Sequence, residues 1–252
     1  MGYTDQQRSV DGQRMVEDGY VQGAHPALAT LAPRLADAAR RCVELRLPPV
    51  FLFLFNDVWR SFYALSPAIS QFLGSPVCAL PDFWLWHVDP KSGEAGWTPH
   101  VDKGAYALDP SGRPLSVTVW IPLSDATPLN SCIYVLPASR DPDYRAQQRT
   151  RGVDVTQVRA LPVSPGEWLC WNQAILHWGS ASSRFASEPR ISMALEFQSA
   201  AIPPFNEPLI RDPEQLDFET RLRLVAKQIL QYDHMYAIDP VVEQLARSLL
   251  PA

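Results

Sequence analysis

The sequence predicts an α+β protein in which a long run of short β-strands sits between helical ends. Apolar residues recur at three- and four-residue spacings only toward the two termini, in residues 26–45, 57–72, 214–232 and 241–250. Between them, short aromatic and β-branched segments alternate with Gly, Pro, Asn, Asp and Ser turn signals. Strands grouped in this way, with the helices set apart, bury their faces as a sandwich or barrel. The chain has 252 residues, 46% hydrophobic and 19% charged, which is enough for one large core. One domain is expected over 1–252, with 1–75 mostly helical support, 76–200 the β core and 201–252 the C-terminal helices. No internal repeat is present.

The elements follow in order. Residues 1–23 are polar and without clear period, a partly helical start. Residues 26–45 place Leu28, Leu31, Leu35, Ala38, Ala39, Cys42 and Leu45 on one helical stripe, and Pro48-Pro49 ends it. Residues 50–55 form either a buried strand or a helical start, which periodicity alone does not decide. Residues 57–72 are helical with a break at Ser66-Pro67, where Ser66 can cap a second helix. Strands are predicted at 83–88, 116–123, 132–136, 167–171, 174–178 and 190–197, with an edge pairing in 154–161. Residues 139–151 are polar, a surface excursion. The C-terminal stripe of Leu216, Leu222, Val225 and Ile229 is a packing face or the surface of a homodimer.

Composition removes several function classes. The net charge of -5 argues against a nucleic-acid partner. The longest strongly apolar run, residues 50–55, is far too short to span a bilayer, and no membrane partner is expected. The first residues have neither a basic nor an apolar signal region, and Gln6 breaks the N-terminal acylation pattern. The four cysteines (Cys42, Cys78, Cys132, Cys170) form no Cys-x-x-Cys pair and are expected as buried thiols in a reducing compartment, hence a cytoplasmic protein.

The chemistry concentrates in residues 96–104, Gly-Trp-Thr-Pro-His-Val-Asp-Lys-Gly. On a strand, His100 and Asp102 would point to one side. Of the chain's five histidines, His25 and His234 lie in the helical ends, leaving His87, His100 and His177 in the β region. Two histidines and one carboxylate form the facial triad of non-haem Fe(II) sites, with three coordination positions left open. Arg190 opens the strand after His177 and suits two-point binding of a carboxylate. His87-Val88-Asp89 repeats the tripeptide His100-Val101-Asp102, so the ligand pair is a choice between two copies.

His100-x-Asp102, the strand ending Trp120-Ile121-Pro122-Leu123, the segment Leu129 through Pro137, His177 with Gly179-Ser180, and Pro189-Arg190 resemble the phytanoyl-CoA dioxygenase-like family of Fe(II)/2-oxoglutarate-dependent oxygenases. The resemblance runs from about residue 83 to 197. It implies a double-stranded β-helix, a cupin-like jelly-roll core with flanking helices. It also implies Fe(II) on His100, Asp102 and His177, with 2-oxoglutarate and O2 as co-substrates. Arg190 would hold the far carboxylate of 2-oxoglutarate, with His87, Trp120, Ser180 and Ser192 as further co-substrate contacts. Trp97, Lys103 and Tyr106 flank the metal segment and could touch substrate. The pattern departs from the family after the distal histidine, where Ser180-Ala181-Ser182-Ser183 is found and Arg184 is a rival to Arg190. It departs again at Pro137-Ala138-Ser139-Arg140, where the family commonly has Pro-Gly-Ser-His. Asp102 disfavours halogenation, because related halogenases lack this carboxylate. The expected activity is hydroxylation of a small molecule with release of succinate and CO2. The competing expectations are a jelly-roll binding or regulatory protein without turnover, and a cupin-like enzyme that uses a metal without O2.

Overall fold

The computed structural model describes residues 5–212, 216–234 and 238–250. Helices form where caps and apolar stripes coincide. After α1 (Asp5–Glu17) and a short strand β1 (Tyr20–Ala24), α2 (Pro26–Glu44) begins on His25, whose Nδ1 accepts the Ala27 amide at 3.3 Å. Pro26 occupies the first turn, where no intrahelical N–H is required. The buried face of α2 carries Leu28, Ala32, Leu35, Ala36 and Ala39. Residues 49–54 settle the open alternative as a 3-10 turn, started by Pro48-Pro49 and leading into α3 (Asn56–Tyr63). The expected break falls where α4 (Ser66–Leu73) starts, and α4 stops at Gly74, whose φ of 66° is the left-handed cap that glycine adopts without a Cβ penalty.

Eight strands follow the predicted order, with one addition and one extension. β2 (Val77–Val88) starts six residues before the predicted strand, and its register shifts between Ala79 and Phe83, around Pro81. Proline cannot donate to a ladder and is tolerated at such an irregularity. β3 (Ser116–Pro122), β4 (Ile133–Leu136), β5 (Arg159–Leu161), β6 (Glu167–Asn172), β7 (Leu176–Gly179) and β8 (Arg190–Ser199) complete two antiparallel sheets. The larger has the order β1-β6-β3-β8-β2 and the smaller β5-β4-β7. β1 is a strand inside the mostly helical support expected over 1–75, and it pairs with β6 from Tyr20 opposite Trp171 to Ala24 opposite Glu167. The short segment Tyr-Val-Gln-Gly-Ala has too little alternation to announce itself.

The sheets pack face to face as the jelly-roll form the resemblance implies. Trp120, Leu169, Trp171 and Ala194 of the larger sheet bury against Ile133, Val135 and Leu161 of the smaller. The opposite face of the larger sheet (Val117, Val119, Ile191, Met193, Leu195, Phe197) packs on the helices. Each such side chain contributes roughly 1.5–3 kcal/mol by leaving water. Burial on both faces explains why β3 is buried at all seven positions.

α5 (Phe218–Gln231) and α6 (Pro240–Leu249) close the helical layer. The predicted start of this helix at 214–215 lies outside the described residues. The stripe on α5 is used inside the chain: Val225 and Ile229 are core residues, and Leu222 shares a small cleft with Val242 and Leu249 of α6. The loop at 139–151 lies mostly at the surface, as expected, and is pinned where Arg149 forks onto the buried Asp141 at 2.6 and 3.0 Å. Among the described residues no helix is long and apolar enough to cross a membrane. Cys78, Cys132 and Cys170 are buried, and all four thiols are free.

Candidate metal centre

Backbone pairing brings the two histidines together. His100 N–H donates to the His177 carbonyl at 3.1 Å and His177 N–H donates to the His100 carbonyl at 3.0 Å. The pairing is an isolated bridge, so His100 and Asp102 do not sit on the regular strand expected for them. Their convergence comes instead from the turn that follows. The amides of Lys103 and Gly104 both donate to the Gln173 carbonyl at 2.9 Å, and Gly104 takes a φ of 64°. Beside the bridge, Gly96 and Gly179 touch through their backbones. A Cβ on either would stand 2.5 Å from the other's Cα.

The donor atoms meet in a small volume. Asp102 Oδ1 lies 3.5 Å from His100 Nε2 and 3.5 Å from His177 Nε2, and the two imidazole centroids are 4.3 Å apart. Nδ1 of His100 lies 2.7 Å from the Thr98 carbonyl, and Nδ1 of His177 3.2 Å from the Ile175 carbonyl. A carbonyl only accepts, so each Nδ1 carries the hydrogen and each Nε2 presents its lone pair to the centre. His100 Nε2 is buried without a hydrogen-bond partner, which a metal ion would supply. Neighbouring ligands of an octahedral ion at about 2.1 Å would be about 3 Å apart. The donor set fits a divalent first-row ion after slight contraction. Burial works to raise the Asp102 carboxyl, but His177, His100 and the Thr118 hydroxyl together hold it below the usual carboxylate range. Burial lowers His177, which keeps its imidazole neutral and ready to ligate.

The triad opens into a cavity with ≈ 560 Å³ of space between atoms, including solvent at its mouth. Its walls are largely aromatic: Trp84, Trp86, Trp97, Trp120, Trp171 and Tyr232. Arg190 lines the same cavity and is 1% exposed. Its guanidinium donates to Ser192 Oγ at 2.5 Å and to Ser131 Oγ at 3.4 Å, and lies 5.6 Å from the Trp120 ring centre. Trp120 Nε1 is buried without a hydrogen-bond partner. Further along the same face of β8, Glu196 pairs with Lys103. Burial pushes Glu196 up to about 7 even with that lysine beside it. Asp82, Lys103, Asn206 and Tyr232 carry this side of the cavity toward solvent.

Other expected site residues are placed elsewhere. His87 is turned away. Trp86 and Val88 share the face of Ser192 and Arg190, so the intervening His87, opposite Ile191, faces the helices. There it lines a separate cleft with Val43, Pro49 and Glu94, and the rival tripeptide supplies no ligand to the triad. Tyr106 is 73% exposed, in a groove outside the aromatic cavity. Arg184 is exposed and lies over Phe185, leaving Arg190 as the arginine of the cavity. Ser192 reaches the cavity through Arg190, while Ser180 is not among its lining residues. Thr118, Trp171, Gln173 and Glu196 escaped the sequence reading. The signal for Thr118 and Glu196 was polar character at inward-facing positions of otherwise buried strands.

A sequence profile of the family described as Phytanoyl-CoA dioxygenase (PhyH) matches residues 29–186. The chain belongs to this family. Its enzymes are non-haem, Fe(II)- and 2-oxoglutarate-dependent, with O2 as co-substrate, and the His-Asp-His donor set here fits that iron. No curated protein sequence gives a significant match. Solved structures share the fold at low identity. The non-haem monooxygenase ThoJ has a TM-score of 0.64 at 16% identity, over 94% of this chain and 99% of that one. The epimerase SnoN, solved with Fe3+, α-ketoglutarate and nogalamycin RO, has a TM-score of 0.56 at 18% identity, over 78% and 85%. EctD from S. alaskensis, solved with 2-oxoglutarate and 5-hydroxyectoine, has a TM-score of 0.56 at 15% identity, over 82% and 83%.

Proposed function

We propose that the protein is an Fe(II)/2-oxoglutarate-dependent oxygenase that hydroxylates an unactivated C–H bond of a small-molecule or biosynthetic intermediate, releasing succinate and CO2. The observation that carries the reading is the convergence of His100 Nε2, Asp102 Oδ1 and His177 Nε2 in the cavity that also holds the buried Arg190. When bound, Fe(II) supplies the activation of O2 that couples oxidative decarboxylation of 2-oxoglutarate to substrate oxidation.

The chain's own residues do the rest. Arg190 pairs with the far carboxylate of 2-oxoglutarate, its fork steadied by Ser192 and Ser131. Trp120 Nε1, buried and without a partner, offers the co-substrate a donor. The indole walls exclude water and orient a largely apolar substrate. Trp97 and Lys103 stand on the substrate side, with Glu196 and Tyr232.

Asp102→Ala and His87→Ala test the reading. Succinate formed from 2-oxoglutarate under O2, with Fe(II) and candidate substrates, is expected to vanish in the first and persist in the second. The reverse pattern sinks the ligand assignment. An absence of 2-oxoglutarate binding in anaerobic titration of the Fe(II)-loaded wild type favours a binding protein, and turnover insensitive to O2 removal favours an O2-independent enzyme.

A further inference from the structure

Two side chains outside the metal triad converge on one oxygen of Asp102. The Thr118 hydroxyl donates to Asp102 Oδ2 at 2.8 Å, and Trp171 Nε1–H donates to the same oxygen at 3.3 Å. The convergence is built into the sheet, because Thr118 and Trp171 are directly opposed in the β3–β6 ladder and stand side by side on one face. The other oxygen, Oδ1, is the one 3.5 Å from both His100 Nε2 and His177 Nε2. The carboxylate is thereby divided, with one oxygen given to the sheet and one to the metal centre.

A third residue fixes the direction of this restraint. Gln173 Nε2 donates to Thr118 Oγ1 at 3.2 Å, which fills the acceptor side of the hydroxyl and commits its proton to Asp102. The same glutamine's backbone carbonyl receives the Lys103 and Gly104 amides, so one residue anchors both the loop and the relay. The arrangement leaves Gln173 Oε1 buried without a hydrogen-bond partner. Turning the amide over would aim Oε1 at the hydroxyl, take its proton, and strip Asp102 of its shorter hydrogen bond.

We infer that Thr118 and Trp171 are positioning residues that hold Asp102 as a one-oxygen ligand, with Gln173 setting the direction of the restraint. The inference rests on the Fe(II)/2-oxoglutarate reading above. Carboxylates bind divalent ions through one oxygen or both. Two imidazoles and one carboxylate oxygen leave three positions on a six-coordinate ion, and a second carboxylate oxygen would take one of them. A keto acid that chelates through two atoms is the ligand most affected by that loss. The restraint on Oδ2 therefore protects chelation of the co-substrate more than retention of the metal.

The test uses the whole chain with Co(II), whose visible absorption reports coordination number, under anaerobic conditions. Co(II) and then 2-oxoglutarate are titrated into wild type, Thr118→Val/Trp171→Phe and Thr118→Ser/Trp171→Phe, with far-UV circular dichroism and melting as controls for folding. The expected result for the Val/Phe protein is 2-oxoglutarate affinity lower by at least about tenfold, a larger factor than any loss of Co(II) affinity. Its Co(II) absorption should also change before any keto acid is added. The Ser/Phe protein, which keeps the hydroxyl, should recover most of both. Unchanged 2-oxoglutarate affinity in the Val/Phe protein overturns the inference. So does a parallel loss of Co(II) and 2-oxoglutarate affinity that serine does not rescue, since that is the mark of a merely structural role. Wild-type protein that binds Co(II) but no 2-oxoglutarate overturns the functional reading itself, and this inference with it.

Discussion

Replacing Arg190 by methionine tests its proposed role as the co-substrate anchor. The substitution removes the charge and the guanidinium fork while nearly keeping the volume, at a position 1% exposed. The guanidinium is held by the Ser192 and Ser131 hydroxyls and flanked by the Trp86 and Trp120 rings, so it meets a ligand as a rigid, largely desolvated group. Loss of one side of a desolvated, hydrogen-bonded charge pair costs about 2–5 kcal/mol. At 1.4 kcal/mol per decade, 2-oxoglutarate affinity should fall by about 30-fold to about 4,000-fold. Arg190→Lys keeps a charge but not the fork and should fall between, by about tenfold. The assay is anaerobic calorimetric titration of 2-oxoglutarate into Co(II)-loaded protein. Arg184→Met serves as control and should bind like wild type, since Arg184 lies exposed over Phe185. Methionine at 190 with 2-oxoglutarate affinity within about threefold of wild type, while metal binding and folding are intact, would refute the anchor, because the loss would then lie below the range for any charged hydrogen bond.

Three more outcomes follow from the same geometry. Co(II) at about 100 times its Kd should stabilise the chain by about 2.7 kcal/mol and raise its Tm by about 5–10 °C, an increase that a chelator reverses and Asp102→Ala abolishes. Gly179→Ala places a Cβ 2.5 Å from Gly96 Cα, where only backbone movement relieves the clash. Its expected cost is about 1–3 kcal/mol by denaturant unfolding, with weaker Co(II) binding because the His100–His177 bridge must part. Asp217 caps α5 by accepting the Thr220 amide at 2.7 Å, and that bond holds its carboxyl below the usual range. A folded-state value that is depressed means stability in place above the ordinary carboxylate range and lost as pH falls through the lowered value. Asp217→Asn, which keeps a capping oxygen but does not titrate, should show a shallower acid limb in pH-dependent melting.

The sheets were legible in the sequence because their residues follow period two with few competing signals, as in residues 116–123 and 190–197. β1 was not, because its five residues carry little alternation and earn their place only by pairing with β6. The extension of β2 was hidden by Pro81, which normally argues against a strand and is absorbed here by a register shift. Within the site, the three candidate ligands and Arg190 were readable as an ordered set of residue types, and they line one cavity. His87 was misplaced because spacing along a strand does not say which face points inward, and Trp86 takes that face here. Trp171 and Gln173 meet the site through contacts with residues distant in sequence, and no local pattern marks them, while Thr118 showed only as a polar residue at an inward-facing strand position.

The reciprocal bridge between His100 and His177 has a consequence for how the protein matures. The two halves of the ligand set belong to distant parts of the chain, and closing a segment of that length is an entropic cost the unfolded polymer must meet before any donor atoms align. A nascent chain that has released Asp102 but not β7 holds only an incomplete claw. The complete donor set exists only once β7 has docked beside residues 95–100. A metal taken up there ties the His100–Asp102 segment to β7, so its binding energy opposes their separation.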